Sequence, residues 1–134
     1  STTYALTDAL VGSQKSYDKW VGTYGYDYSV LVDLQQEEEV SEISINFLEN
    51  VGSWIFLPLS VDFYVGMDSE NLEKIPADKV IISKEGQIQN FKAEFDKTKA
   101  RFVKIFATSQ KRCPEDHPGA GYPAHCFGDE IIVN

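Results

Sequence analysis

The sequence predicts an all-β domain, a sandwich or barrel, on three observations. Short runs rich in β-branched and aromatic residues recur along the chain, turn formers separate them, and no stretch carries a convincing amphipathic helical period. Such spacing suits many short strands packed face to face or closed on themselves.

The predicted strands, in order, are 28–34 (YSVLVDL), 42–48 (EISINFL), 60–65 (SVDFYV), 79–83 (KVIIS), 88–95 (IQNFKAEF), 101–108 (RFVKIFAT) and 130–133 (EIIV). Between them stand turn signals at 37–39 (EEE), 68–71 (DSEN), 84–86 (KEG) and 96–99 (DKTK). The stretch 50–65 (NVGSWIFLPLSVDFYV) reads as two strand segments hinged at Pro58, preceded by a turn that carries Trp54 at its tip. From Ser60 to Val65 polar and apolar residues alternate, as in a half-buried strand.

The length of 134 residues fits one domain spanning 1–134, with a core large enough to fold without metal or disulfide support. A formal net charge of -9 argues against nucleic acid or an anionic membrane as partner, since both require clustered Lys and Arg. No apolar run approaches the ~20 residues that cross a bilayer, and the opening STTYALTDAL has neither a basic leader nor an apolar signal region. The chain is therefore expected to be a soluble piece of something larger, or a mature form. The acidic run Glu37-Glu38-Glu39 reads as a solvated turn rather than a cation site, because adjacent like charges repel.

Three loops have unusual content: 12–28, 50–58 and 112–127. The first concentrates Tyr17, Trp20, Tyr24, Tyr26 and Tyr28 among glycines and polar residues. Aromatic faces with polar tips suit sugars, whose C–H bonds pack on a π-face while hydroxyls seek hydrogen bonds. Trp20 reads better as a plug of the sandwich bottom, whereas Tyr24 and Tyr26, flanking Gly25, are the better exposed candidates.

The third loop (RCPEDHPGAGYPAHCF) holds both histidines, His117 and His125, beside Glu115 and Asp116. Zinc at the histidines with Asp116 and Cys113 is disfavoured, because the spacing matches no compact ligand pattern. Nothing in the loop pairs a nucleophile with a base, so the domain is not expected to be an enzyme. Cys113 and Cys126 are read either as a disulfide or as two unlinked thiols.

The chain ends carry a further pattern, 5–13 (ALTDALVGS) and 128–131 (GDEI). If the terminal strands lay side by side, Asp8 and Glu130 would meet, and turn carbonyls would complete an oxygen shell suited to calcium. The plainer reading is an Asp that caps its own turn and a solvated Glu.

These elements resemble the discoidin-like, or coagulation factor V/VIII type C, modules, which include family 32 carbohydrate-binding modules. The resemblance rests on 6–13, Trp20, 32–34 (VDL), 60–65, 100–105 (ARFVKI) and 129–131 (DEI). More narrowly, 52–58 (GSWIFLP) and 113–121 (CPEDHPGAG) look like the C-terminal modules of bacterial family 20 β-N-acetylhexosaminidases, or chitobiases. It implies an eight-stranded jelly-roll sandwich of the galactose-binding type. It also implies a structural calcium held by Asp8, Glu130 and the carbonyls of Ala5, Leu10, Ser13 and Asp129, with the Ser13 hydroxyl as an additional donor. Ala9 stands where the family usually has Gly, and His125 where many relatives carry Trp.

Two functions follow as expectations. In one, the module binds a galactose- or N-acetylhexosamine-containing glycan without catalysis and keeps a secreted, periplasmic or cell-surface bacterial glycoside hydrolase near its substrate. Trp54, Tyr24, Tyr26 and Tyr122 would then stack on sugar, and His117 would donate a hydrogen bond. In the other it packs on the catalytic domain of the same chain, with Trp54, Ile55 and Phe56 as an apolar interdomain patch.

Overall fold

The fold was obtained as a computed structural model that describes residues 2–6, 10–11, 14–17 and 21–134; Asp8, Ser13 and Trp20 lie outside the described residues. Ten strands are present among the described residues. They are β1 (Thr2–Leu6), β2 (Leu10–Val11), β3 (Gln14–Tyr17), β4 (Val21–Tyr24), β5 (Tyr28–Leu48), β6 (Ser60–Asp68), β7 (Asn71–Lys74), β8 (Val80–Glu85), β9 (Ile88–Thr108) and β10 (His125–Val133). Together they make a two-layer jelly-roll sandwich.

Strands β5 and β9, each 21 residues long, run through both layers. In the first layer the opening half of β5 lies between β1, with which it is parallel, and the closing half of β9, which continues to β6 and β7. In the second layer the closing half of β5 lies between β10 and the opening half of β9, which continues to β8. The free side of β10 carries β4 along 125–128 and β3 along 131–133.

Alternation explains the core. Val30, Val32 and Leu34 of one layer, Ile43, Ile45 and Phe47 of the other, and Val61, Phe63 and Val65 of β6 all point inward and are buried. Tyr28 and Phe47, from opposite halves of the same strand, meet edge to face across the sandwich with ring centroids 5.3 Å apart. Phe91 extends this stack from Phe47 at 5.8 Å.

The charged segments 37–39 and 96–99, predicted as turns, do not reverse the chain. They are the corners where β5 and β9 bend from one layer into the other, marked by register shifts between Asp33 and Glu38 and between Val40 and Glu42. Gln35, at φ 73, makes the bend in β5, and its N–H donates to Asp33 Oδ1. Glu37 and Glu39 are exposed, as a solvated reading requires.

Three further expectations are corrected. Of the two strand segments hinged at Pro58, only the second forms; 51–53 is a 3-10 turn, and Ile55 makes isolated bridges to Asn50 and His125. The region 12–28, read as a loop, contains β3 and β4. The last strand begins at His125, five residues ahead of the predicted start, since the aromatics His125 and Phe127 alternate with the buried Cys126.

Candidate functional site

The loops 24–27, 50–59 and 109–124 gather at one end of the sandwich, because the strands they connect end there: Tyr28 pairs with Ala107 and Ser60 with Thr108. This end holds Trp54, Tyr24, Tyr26, His117 and Tyr122.

Trp54 caps the 3-10 turn Val51–Ser53 with its own N–H on the Val51 carbonyl, and takes a left-handed φ of 65. Asn50 fixes the turn by accepting from the Ser53 N–H. The main chain beyond is strapped to the start of β10, since His125 N–H donates to Trp54 O at 2.8 Å and Phe56 N–H to His125 O at 3.0 Å. The indole is half-buried and packs on Phe56, Cys113 and Ala124. Gly119 lies against its benzo ring so closely that a Cβ there would come within 2.7 Å of the indole Cζ2.

His117 joins two loops. Its Nε2 lies 2.7 Å from the Val51 carbonyl, and its Nδ1 accepts from the Gly119 N–H at 2.9 Å. These partners select the tautomer protonated on Nε2. With 9% of its surface exposed and both nitrogens engaged, His117 has no donor left for a sugar; its role is to position the Trp54 turn against the 113–121 loop. The expected hydrogen bond from this ring to ligand is thereby corrected. The same engagement leaves no lone pair for zinc.

Tyr122 leans over Trp54 with ring centroids 5.9 Å apart and a 35° tilt, and is 62% exposed. Tyr24 is 48% exposed and rests on His125, centroid to centroid 4.4 Å; His125 in turn stacks on Phe127 at 5.7 Å. Phe127 covers Gly22, where no side chain would fit. Tyr26 is 57% exposed on a turn that Gly25 makes possible at φ 81. Its carbonyl accepts from the hydroxyls of Thr23 and Ser109, both at 2.8 Å. Trp54 is thus in ring contact with His117 and with Tyr122, Tyr24 belongs to a separate stack with His125 and Phe127 that meets Trp54 only through the His125 main chain, and Tyr26 makes no ring contact among the described residues.

Asp27 holds the two flanking loops together. Its carboxylate accepts from the Ser109 N–H and pairs with the Lys111 ammonium, both at 3.0 Å. Burial alone would raise its pKa, but the Ser109 hydrogen bond and the Lys111 charge together hold it below the ordinary value. Sequence reading passed over Asp27, Ser109, Lys111 and Gly119. The partners of Asp27 lie more than 80 residues away in the chain, and no local pattern announces them.

Both cysteines are free thiols and both are buried, Cys113 beneath Trp54 and Cys126 in the main core. Burial, with a smaller contribution from the Asp27 charge, pushes the Cys126 thiol up to about 12. The disulfide reading is set aside.

Of the calcium set, Ala5 lies in β1 paired with Leu31, and Leu10 in β2 paired with Lys15. Asp129 and Glu130 lie together in β10, where Glu130 accepts from Asn46 Nδ2 at 3.1 Å. Carboxylate and carbonyl oxygens suit a hard cation. Among the described residues no three His, Cys, Asp or Glu cluster as a metal site, and Asp8 and Ser13 lie outside them.

No protein-family model matches the chain, and no curated protein matches it. Among solved structures it is similar to CpGH89CBM32-6 produced by Clostridium perfringens, at 15% identity and a TM-score of 0.58, over 93% of this chain and 95% of that one. That likeness is of fold: the chain has the architecture of a protein whose name marks it as a family 32 carbohydrate-binding module.

Proposed function

We propose that this domain is a non-catalytic carbohydrate-binding module that tethers a glycoside hydrolase to its substrate. The observation that carries the reading is the aromatic rim, the half-buried Trp54 under the exposed Tyr122 and then the exposed Tyr24 and Tyr26, on loops cross-linked by His117 and Asp27. Rigid rings with polar tips offer contact area at little entropic cost, which favours weak sugar binding. Weak binding suffices, since tethering raises the effective concentration of the attached enzyme. The fold of a family 32 module supports the same reading.

The finer proposal is a galactose- or N-acetylhexosamine-containing glycan as ligand and a secreted, periplasmic or cell-surface β-N-acetylhexosaminidase as parent. A structural calcium held by Asp8, Glu130 and the carbonyls of Ala5, Leu10, Ser13 and Asp129 belongs to the same proposal.

The rival reading, an interdomain packing module, drew on Trp54, Ile55 and Phe56 as an apolar patch. Phe56 is 7% exposed and packs inside this domain with Cys113 and Ala124, which accounts for the apolar run without a second domain. Calorimetric titration with N-acetylhexosamine and galactose oligosaccharides separates the two. Saturable binding that is lost in Trp54→Ala and Tyr122→Ala while the fold persists supports glycan recognition. Absence of binding, together with a full-length enzyme destabilised by Tyr122→Ala, would favour the packing role.

A further inference from the structure

The second layer ends at β8, which pairs along one side with β9 and, among the described residues, carries no strand on the other. An open edge presents a row of unpaired N–H and C=O groups, and proteins ordinarily guard one with a bulge, a proline, a very short strand or an outward lysine. β8 lacks these guards. It runs for six residues in unbroken register with β9 and contains no proline. Lys84, the lysine within it, turns back over the sheet, where its ammonium lies 2.6 Å from Glu49 just past the end of β5.

Both faces of this edge are apolar. Ile82 stands opposite Phe91 and so shares the core side of the sheet with it, yet Ile82 is 57% exposed where Phe91 is buried. Ile81 points the other way and is 53% exposed. The core side of the sheet is thus left uncovered at its last strand.

A second copy of β8 fits this edge. In an antiparallel pair, residues that face each other are either both hydrogen-bonded across the pair or both not, and this property alternates along each strand. A two-fold pairing of β8 with itself must therefore be centred on a residue, never between two. Two centres overlap five residues of each β8, namely Ile82 and Ser83. Centring on Ser83 would set Ile81 against the partner's Glu85. Centring on Ile82 sets Ile82 against its own copy and Lys79, the residue before β8, against the partner's Glu85, at both ends of the pairing. The Lys79 and Glu85 side chains are exposed and, among the described residues, make no ion pair within their own chain.

We infer that β8 is a dimer edge, at which two copies of this chain join antiparallel about Ile82 and merge their second layers into one sheet. The Glu49 N–H donates to the Gln87 carbonyl, which puts the turn between β8 and β9 at the end of the sandwich where loop 50–59 lies. The two-fold reverses strand direction, so the aromatic rims of the two copies face opposite ways; if the rim binds sugar, a dimer bridges two glycan strands. The pairing itself is independent of the rim reading.

One strand from each chain buries less than the ~1,200 Å² of a standard interface, so the dimer is weak, with a Kd on the order of 100 μM. Each chain carries a net charge of -9, so the measurement belongs at about 0.15 M salt, which screens charges more than ~8 Å apart. Sedimentation equilibrium between about 10 μM and 1 mM, tenfold either side of that Kd, should show monomer passing to dimer. Ile82→Lys, which sets two charges face to face on the two-fold, should keep the chain monomeric throughout. Lys79→Glu and Glu85→Lys should each weaken the dimer about tenfold, because a like pair replaces an opposite one at two symmetric places. Glu85→Lys should do so even though it lowers the net negative charge. Mixing the two single variants restores opposite pairs across the interface, so the mixture should associate as the unmodified chain does. All three positions are exposed, and circular dichroism checks that each variant is folded. The inference is overturned if the chain stays monomeric to about 1 mM, which leaves the edge to a strand of another protein. It is equally overturned if folded Ile82→Lys or Lys79→Glu associates unchanged, or if mixing the charge variants fails to recover the dimer.

Discussion

The His117 imidazole bonds the Val51 carbonyl at 2.7 Å across 66 residues of sequence, and so locks the turn that presents Trp54 to the loop that presents Tyr122. Replacing His117 by Ala would leave the Gly119 N–H without its partner, while the Val51 carbonyl keeps the Trp54 N–H. A buried donor so orphaned costs about 1–3 kcal/mol. Urea denaturation should show a midpoint lowered accordingly, and an unchanged midpoint would remove His117 from the framework.

Gly119→Ala should destabilise by about 1–3 kcal/mol, the usual cost of overpacking, because its Cβ would press on the indole. The cost should largely vanish in a Trp54→Leu background, where the ring is gone. A double-mutant cycle that shows simple additivity would count against this contact.

Cys126 links stability to alkaline pH. Its thiol ionises at about 12 in the folded protein against a reference of 9.0, so above about pH 9 the unfolded chain releases a proton that the folded one retains. The stabilisation is complete below the unfolded pKa and is lost as pH rises toward the folded one, at up to about 1.4 kcal/mol per pH unit. Cys126→Ala should be less stable near neutrality but show a shallower decline between pH 9 and about 12.

Asp27 acts at the other end of the scale. Its pKa is lowered on folding, so its contribution is present above the ordinary 3.8 and fades as pH falls through the lower folded value. Asp27→Asn should cost on the order of 1 kcal/mol at pH 7 and almost nothing in strong acid, measured by thermal melts across the acid range.

If calcium occupies the terminal site, chelation should lower the melting temperature and added calcium should restore it. A melt indifferent to both would remove calcium from the proposal.

The sequence was most legible where one side chain decides one face. The alternation through Val61, Phe63 and Val65 places β6 correctly because burial of every second residue is a local rule. The corners at 37–39 and 96–99 misled because solvated bends and chain reversals recruit the same charged residues. Trp54, Tyr24, Tyr26 and Tyr122 were chosen as candidates for their chemistry, as aromatics amid glycines and prolines, and the fold gathers their loops at one end of the sandwich. What holds them was hidden, since His117 serves backbone groups and Asp27 serves Ser109 and Lys111, all distant in sequence.

Since β5 and β9 each belong to both layers, neither layer has a boundary at which it could come away alone. Pulling or heating must break one shared ladder, so the domain should unfold as a single cooperative unit. Its non-local pairing places refolding in the milliseconds-to-seconds regime. A ligand on the rim would then brace the whole fold against proteolysis, because the loops it grips open only when both layers do.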